Sequence, residues 1–185
     1  LAGVINQDGV IDGRQADRSD RVVANDRTFS YVLHRGAVPM QITQNDVRAI
    51  QLAKAALYAG VRLLMDNLGI ERVDRIRLAG AFGSHIDPKY AMILGMIPDC
   101  DLNHVASAGN AAGTGARIAL LDSTARPAIE DLVRRVEKIE TAIEPRFQAH
   151  FVEAMAIPHK SAAYPELSKV VTLPAAKESA AQRET

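Results

Sequence analysis

The sequence feature that most constrains the fold is a run of apolar residues at helical spacing between residues 43 and 69. The run opens with Thr43-Gln44-Asn45-Asp46, which resembles a capping box with Asp in place of Glu, and Gly69 follows its end. The spacing predicts an amphipathic helix of roughly six turns. Its apolar stripe comprises Val47, Ile50, Leu57, Val61, Leu64 and Leu68.

Lys54 lies in the middle of this apolar stripe. An ammonium group in such a position must be desolvated, extend outward to water, or meet an anion or a carbonyl oxygen. Extension to water is the usual outcome, and the residues alone leave all three open.

A second constraint is a glycine-rich junction between a strand and a helix. Residues 75–79 read as a short strand that runs directly into Gly80-Ala81-Phe82-Gly83. Asp87-Pro88 then provides an N-cap and a first-turn proline for a helix that extends to about Leu94. Glycine permits positive φ angles and removes the Cβ that keeps a ligand from the backbone, and amides at a helix start attract anions.

These properties make Gly80 to Gly83 a candidate shelf for a nucleotide. The glycines fit tight turns and close strand–helix packing equally well. The segment has neither the G-x-G-x-x-G spacing of a dinucleotide fingerprint nor the G-K-[ST] of a phosphate-binding loop.

The stretch "AGNAAGTGARIALLD", residues 108–122, reads as a turn that feeds a helix of small residues. Gly109, either Ala112 or Gly113, and Ala116 recur at helical spacing, so one face of this helix is smooth enough for another helix to approach closely. Asn110 at its start is a candidate cap or a candidate ligand contact, and capping is the favoured interpretation.

The remaining patterns predict an α/β organisation in three parts. Residues 1–27 form an irregular lead-in with the cut edge of a longer protein at Leu1, residues 28–157 an α/β nucleotide-binding lobe, and residues 158–185 a loosely held tail. Within the lobe the predicted elements are strands at residues 28–33, 104–107 and 136–141, and helices at residues 126–135 and 145–156.

Composition narrows the function classes. Lysine plus arginine and aspartate plus glutamate number 22 each, so the net charge predicts no nucleic-acid partner, and no apolar run is long enough for a membrane span. The single cysteine, Cys100, excludes an internal disulfide and fits a reducing cytoplasmic location. Asp99, Asp101 and His104 surround it without a known metal-site spacing, so a polar loop is favoured, and no catalytic or metal-binding residue is predicted.

Four ordered blocks together resemble the C-terminal domain of the ATP-dependent reductive activators of corrinoid proteins: "QNDVRAIQLAKAALYAGVRLLM", "DRIRLAGAFGSHIDP", "AMILGMIPD" and "AGNAAGTGARIALLD". This family belongs to the actin, sugar-kinase and heat-shock chaperone ATPase superfamily. The resemblance implies a ribonuclease-H-like lobe, incomplete in this chain, of a two-lobed ATPase.

The resemblance also implies an activity and its cofactors. Such activators use ATP, with Mg²⁺, to return the cob(II)alamin of a corrinoid methyltransferase protein to cob(I)alamin. They draw the electron from a 2Fe-2S cluster in an N-terminal domain that this chain lacks. The fragment alone is therefore expected to be inactive. The implied partner is the corrinoid protein, and a homodimer is also compatible.

Individual residues follow from the same resemblance. Gly80 and Ala81 stand where the superfamily's adenosine motif commonly has two glycines, and the methyl group of Ala81 is a departure that narrows the shelf. Phe82 and Gly83 complete this motif, and Lys54 resembles the helix position from which the chaperone ATPases reach adenosine. The helix after Asn110 resembles a connecting helix that slides as the two lobes close.

Two other functions remain as alternatives. The chain could be a docking or dimerisation module for a corrinoid protein, in which case it captures that protein without nucleotide. It could also be a lobe of a sugar or acid kinase of the same superfamily, which requires a polar substrate pocket.

Overall fold

The computed structural model describes residues 2–141 and 143–174, except for the side chain of Phe82. It contains two separate sheets and seven α-helices within these residues. The strands are β1 (Val22–Asn25), β2 (Thr28–His34), β3 (Met40–Ile42), β4 (Ile76–Ala79) and β5 (Val105–Gly109). The helices are α1 (Gln44–Leu68), α2 (Gly80–His85), α3 (Pro88–Leu94), α4 (Ala111–Leu121), α5 (Ala125–Arg134), α6 (Pro145–Ala154) and α7 (Pro165–Ser168).

Helix α1 has the ends that its sequence predicts. The Thr43 hydroxyl accepts a hydrogen bond from the Asp46 backbone N–H, and the Asp46 carboxylate accepts one from the Thr43 N–H, which completes the capping box. Gly69 ends the helix with a left-handed φ of 65°. The helix packs along α6, and its buried side chains include Ala55, Ala59 and Leu63. The predicted apolar stripe is therefore wrong in part, because Val47 is buried but four of its members are exposed: Ile50, Leu57, Leu64 and Leu68.

The antiparallel sheet has the order β1-β2-β3 and carries a small core of Ile11, Val22 and Val47. Strand β2 was predicted, whereas β1 falls in the segment expected to be irregular. Residues 13–17 of that segment also form a 3-10 helix, and Ile5 pairs with Ile11 in an isolated antiparallel bridge. The prediction that this whole segment is irregular is therefore wrong. Val22–Asn25 form a strand that pairs along its whole length with β2.

The second sheet consists of β4 and β5, which are parallel. One of its faces joins the main core, which includes Tyr58, Met92, Val105 and Leu167. The helix predicted from Asp87-Pro88 is confirmed as α3, because the Asp87 carboxylate caps Lys89 and Tyr90 and Gly95 ends the helix.

Two other predictions are wrong. Residues 136–141 form no strand, because no other strand lies beside their alternating apolar residues. Residues 158–174 are not a loose tail, since Tyr164 and Leu167 are buried in the main core. Residues 175–185 of the predicted tail lie outside the described residues. Among the helices that are described, none combines the length and the apolar character needed to cross a membrane.

Candidate nucleotide-binding site

The predicted glycine shelf lies at the carboxyl ends of two neighbouring strands. Ala79 at the end of β4 is paired with Gly109 at the end of β5, and the strands run in the same direction. Helix α2 begins at Gly80 and helix α4 begins at Ala111, so two chain turns and two helix starts meet at one edge of the sheet. Crevices at such edges are the usual ligand sites of open parallel sheets.

Gly80 and Gly109 both require glycine and both face open space. Their φ angles are +90° and +58°, in the region that residues with a side chain rarely adopt. A Cβ built on either residue has no heavy atom within 4 Å, apart from its immediate chain surroundings. The backbone at these two turns is thus accessible to a ligand.

Gly83 has a different role from Gly80. A Cβ on Gly83 would lie 2.7 Å from the carbonyl carbon of Leu78, so glycine there permits α2 to pack against the end of β4. Ala81, between them, is exposed. The backbone of Phe82 lies in α2, and its side chain is outside the described part of the structure.

Asn110 caps α4, as the favoured interpretation predicted. Its Oδ1 accepts a hydrogen bond of 2.9 Å from the backbone N–H of Gly113. The residue is exposed, and its Nδ2 would lie 2.6 Å from a Cβ on Gly113, so this glycine makes room for the cap. The cap orders the start of α4 beside Gly109.

Two serines at this edge were not predicted. The Ser84 hydroxyl donates a hydrogen bond of 3.0 Å to the carbonyl oxygen of Gly80, and the Ser107 hydroxyl accepts one of 3.1 Å from the Gly109 N–H. Each serine supports one of the two left-handed glycine turns. The sequence signal was a serine within four residues of each glycine, which is too common to distinguish.

Lys54 lies apart from the edge formed by the ends of β4 and β5. It is only 2% exposed, and its ammonium group donates hydrogen bonds to the carbonyl oxygens of Ala156 and Pro158, the latter at 2.6 Å. Burial lowers the pKa of Lys54 to about 8. The structure thus gives Lys54 the carbonyl partners that were one of its three sequence-based outcomes. Its hydrogen bonds within the described residues do not reach α2 or α4.

Lys54 belongs to a polar row on α1 that the sequence reading missed. The Gln44 amide donates to the Gly9 carbonyl and accepts from the Ile11 N–H, and the Gln51 amide donates to the Asp8 and Met155 carbonyls. Positions 44, 51 and 54 lie on one helical face, which was the available signal. The row ties residues 8–11 and 155–158 to the same helix.

The surroundings of Cys100 agree with a structural role for its loop. Cys100 is buried, and burial, followed by the nearby carboxylates of Asp101 and Asp99, raises the pKa of its thiol. The Asp99 carboxylate accepts hydrogen bonds from the backbone N–H groups of Glu166 and Leu167 at the start of α7. These groups are therefore engaged in packing and helix capping.

A cavity of about 620 Å³ lies away from the glycine shelf, between residues 2–11, the sheet β1-β2-β3 and residues 157–174. Among the predicted site residues, those with described side chains do not line it. The predicted residues consequently divide into a cluster at the strand ends, Gly80 to Gly83 with Asn110, and the separate Lys54.

Comparison with known proteins identifies a family that matches this chain. A family described as the C-terminal domain of RACo, the ASKHA domain, matches residues 1–168. The corrinoid activation enzyme RamQ of Eubacterium limosum is 45% identical over 108 residues, which cover 57% of this chain and 18% of RamQ. A solved structure of a reductive activator for a corrinoid, iron-sulfur protein is 31% identical and superposes with a TM-score of 0.73.

That superposition covers 86% of this chain and 26% of the solved one. The chain thus spans less than a third of the length of either relative. ASKHA domains are in general ATP-binding domains of mixed α/β structure, which agrees with the two sheets and their helices. The chain therefore belongs to the family of RACo C-terminal domains, the ASKHA domain of reductive activators of corrinoid proteins, as the resemblance of its sequence predicted.

Proposed function

We propose that this chain is the nucleotide-binding C-terminal part of an ATP-dependent activator that returns the cob(II)alamin of a corrinoid methyltransferase protein to cob(I)alamin. The family match supports the ATPase assignment, and the names of the two relatives support the corrinoid partner. The 2Fe-2S cluster, the Mg²⁺ ligands and the first ATPase lobe belong, in this proposal, to parts of the protein outside these 185 residues. ATP hydrolysis supplies the free energy for the uphill electron transfer.

Within this chain the proposed adenosine site is the edge formed by Gly80 to Gly83 and Asn110. The single observation that carries it is the open, left-handed backbone of Gly80 beside that of Gly109. A Cβ at Gly80 would enter the space through which a nucleoside approaches. The exposed Asn110 side chain keeps its Nδ2 group available for a ligand while its Oδ1 caps α4.

Lys54 is not part of this proposed site. Its ammonium group is buried against the carbonyls of Ala156 and Pro158, so reaching adenosine would break both hydrogen bonds. We further propose that β4 and β5, with α2 and α4, are the last two strands and helices of a ribonuclease-H-like lobe. A two-stranded parallel sheet fits an incomplete lobe, because parallel sheets are normally larger and covered on both faces.

Isothermal titration of the chain with ATP and ADP tests the site, with a strain-matched pair of variants. Gly80 and Gly69 both have positive φ, and a Cβ on either meets no heavy atom within 4 Å. Each change to Ala should destabilise the fold by about 1–2 kcal/mol. Only Gly80→Ala should weaken nucleotide binding, by at least about ten-fold, because the added methyl narrows the site. Equal affinities of the two variants would contradict the proposal.

A docking module remains the second candidate, because α4 and α5 carry large exposed apolar side chains. These include Leu120 at 73%, Leu121 at 81% and Leu132 at 60% exposure. Such surfaces mark interaction sites. Capture of a corrinoid protein by the chain, measured with and without ATP and with Gly80→Ala, distinguishes the two functions. Docking predicts equal capture in all of these conditions.

A further inference from the structure

We propose that the cavity between residues 2–11 and residues 157–174 binds a small apolar molecule that carries one carboxylate group. This site is separate from the nucleotide edge and does not depend on the proposed function. Its volume of about 620 Å³ lies within the range of roughly 300–1,000 Å³ that is usual for small-molecule pockets.

The walls of the cavity are mainly apolar and come from distant parts of the chain. They include Ile5 from the first residues, Leu33 and Ile42 from the antiparallel sheet, Ile93 from α3, and Ile157 and Leu173 near the other end. An apolar molecule in this space would remove these side chains from water, which is favourable in proportion to the area covered.

The charge of the cavity lining is one-sided. The described lining residues include no carboxylate, although the chain has 22 acidic residues, and they include one ammonium group, that of Lys160. The Lys160 ammonium has no hydrogen-bond or ion-pair partner within the described residues, and the residue is exposed. A bound carboxylate would therefore meet an unpaired cation and no anion among the described lining residues.

His159 provides a second polar group in the lining. It is 7% exposed, and its Nδ1 accepts hydrogen bonds from the backbone N–H groups of Ser161 at 3.2 Å and Ala162 at 2.9 Å. Because Nδ1 accepts, the proton of the neutral ring is on Nε2. Burial lowers the pKa of His159 and so keeps the ring neutral.

The Nε2–H group of His159 has no partner within the described residues. The Nε2 atom is not among the fully buried atoms that lack a partner, so this group can donate a hydrogen bond to a ligand oxygen. Lys160 and His159 both line this side of the cavity, so a carboxylate bound here would have their donor groups as its available partners. The two residues together make the 159–160 side of the cavity the head-group end, and the apolar walls the tail end.

Fluorescence titration with anilinonaphthalene sulfonate tests this site, because the probe combines apolar rings with one anionic group. We expect saturable binding at one site per chain. Decanoate, below its micelle concentration, should displace the probe, and decanol of the same length should do so at least about five-fold less well. Ala162→Phe, which adds a ring to the lining, should abolish probe binding.

Lys160→Gln tests the head-group end of the cavity without adding a larger side chain to its lining. It should weaken decanoate binding by about five-fold and leave decanol binding unchanged. Lys138→Gln, at an exposed position outside the cavity, is the matched control and should change neither. Equal displacement by decanoate and decanol, several probe sites per chain, or no effect of Lys160→Gln on decanoate would each overturn the proposal. An apolar surface for a partner protein would give the first of these results.

Discussion

Lys54 carries a buried positive charge whose partners are two backbone carbonyl oxygens. The sequence identified the residue as unusual, because an ammonium group in an apolar stripe needs an explanation. It could not identify the partners, because they lie 102 and 104 residues further along the chain. The outcome depended on which segment of the chain reaches the middle of α1, and local spacing contains no information about that.

Replacement of Lys54 by Met tests its structural role. The change removes the donor from two carbonyl oxygens that lie against the core, and we expect a loss of about 2 kcal/mol in the free energy of unfolding. Arg48→Met, at an exposed position of the same helix, should alter it by less than about 0.5 kcal/mol. Urea unfolding of the two variants measures the difference. A more stable Lys54→Met would mean that desolvation of the ammonium outweighs its hydrogen bonds.

The glycines at the strand end show how far residue identity alone can be interpreted. From the sequence, Gly80 and Gly83 were predicted to form one shelf, for which ligand access and close strand–helix packing were equally good explanations. The structure separates them, because Gly83 contacts the Leu78 backbone while Gly80 faces open space at a φ of +90°. Whether a glycine serves packing or access depends on its neighbours in space, which the pattern G-x-x-G does not specify.

At the scale of elements, the predictions succeeded where both ends of an element are marked in the sequence. Helices α1 and α3 have capping side chains before them and a glycine after them, and both are confirmed. Strand β1 was missed, because four residues in a charged segment become a strand only through pairing with β2. Residues 136–141 failed for the opposite reason: they alternate like a strand but have no partner strand.

Helices α4 and α5 have little packing against the rest of the described structure. Neither helix contains a buried residue, and they pack mainly against each other, whereas α1 contains eight buried residues. The smooth face predicted for α4 is therefore uncovered, and its Ala112 and Ala116 are exposed.

Hydrogen exchange of the backbone amides measures how much more easily α4 and α5 open locally than α1. Backbone amides of α4 and α5 should exchange at least about a hundred-fold faster than those in the centre of α1, because local opening of these helices exposes little apolar surface. Mass spectrometry of the chain at several protein concentrations gives the rates. Slow exchange in α4 and α5 that appears only at high concentration would indicate a homodimer through this face, and slow exchange at every concentration would contradict the expected weak packing.

At the scale of the whole molecule, the two ends of the described chain meet on one helix. Gln7 donates a hydrogen bond to the His159 carbonyl, and the Ile157 N–H donates one to the Gln7 carbonyl. The polar row of α1 holds both segments from the other side. Sequence reasoning divided these segments into a lead-in and a tail, because turn residues and prolines describe the local chain and not its long-range contacts.

Residues 158–174, which were expected to form a loose tail, contribute Tyr164 and Leu167 to the main core. Leu167 is fully buried in the main core, so Leu167→Ala should leave a cavity and lower the free energy of unfolding by about 2–5 kcal/mol. Val170→Ala, three residues later at 60% exposure, should cost less than about 0.5 kcal/mol. Urea denaturation, followed by circular dichroism, measures both. A loosely held tail would make the two losses equally small, whereas a large loss for Leu167 alone would place residues 158–174 within the cooperative folding unit.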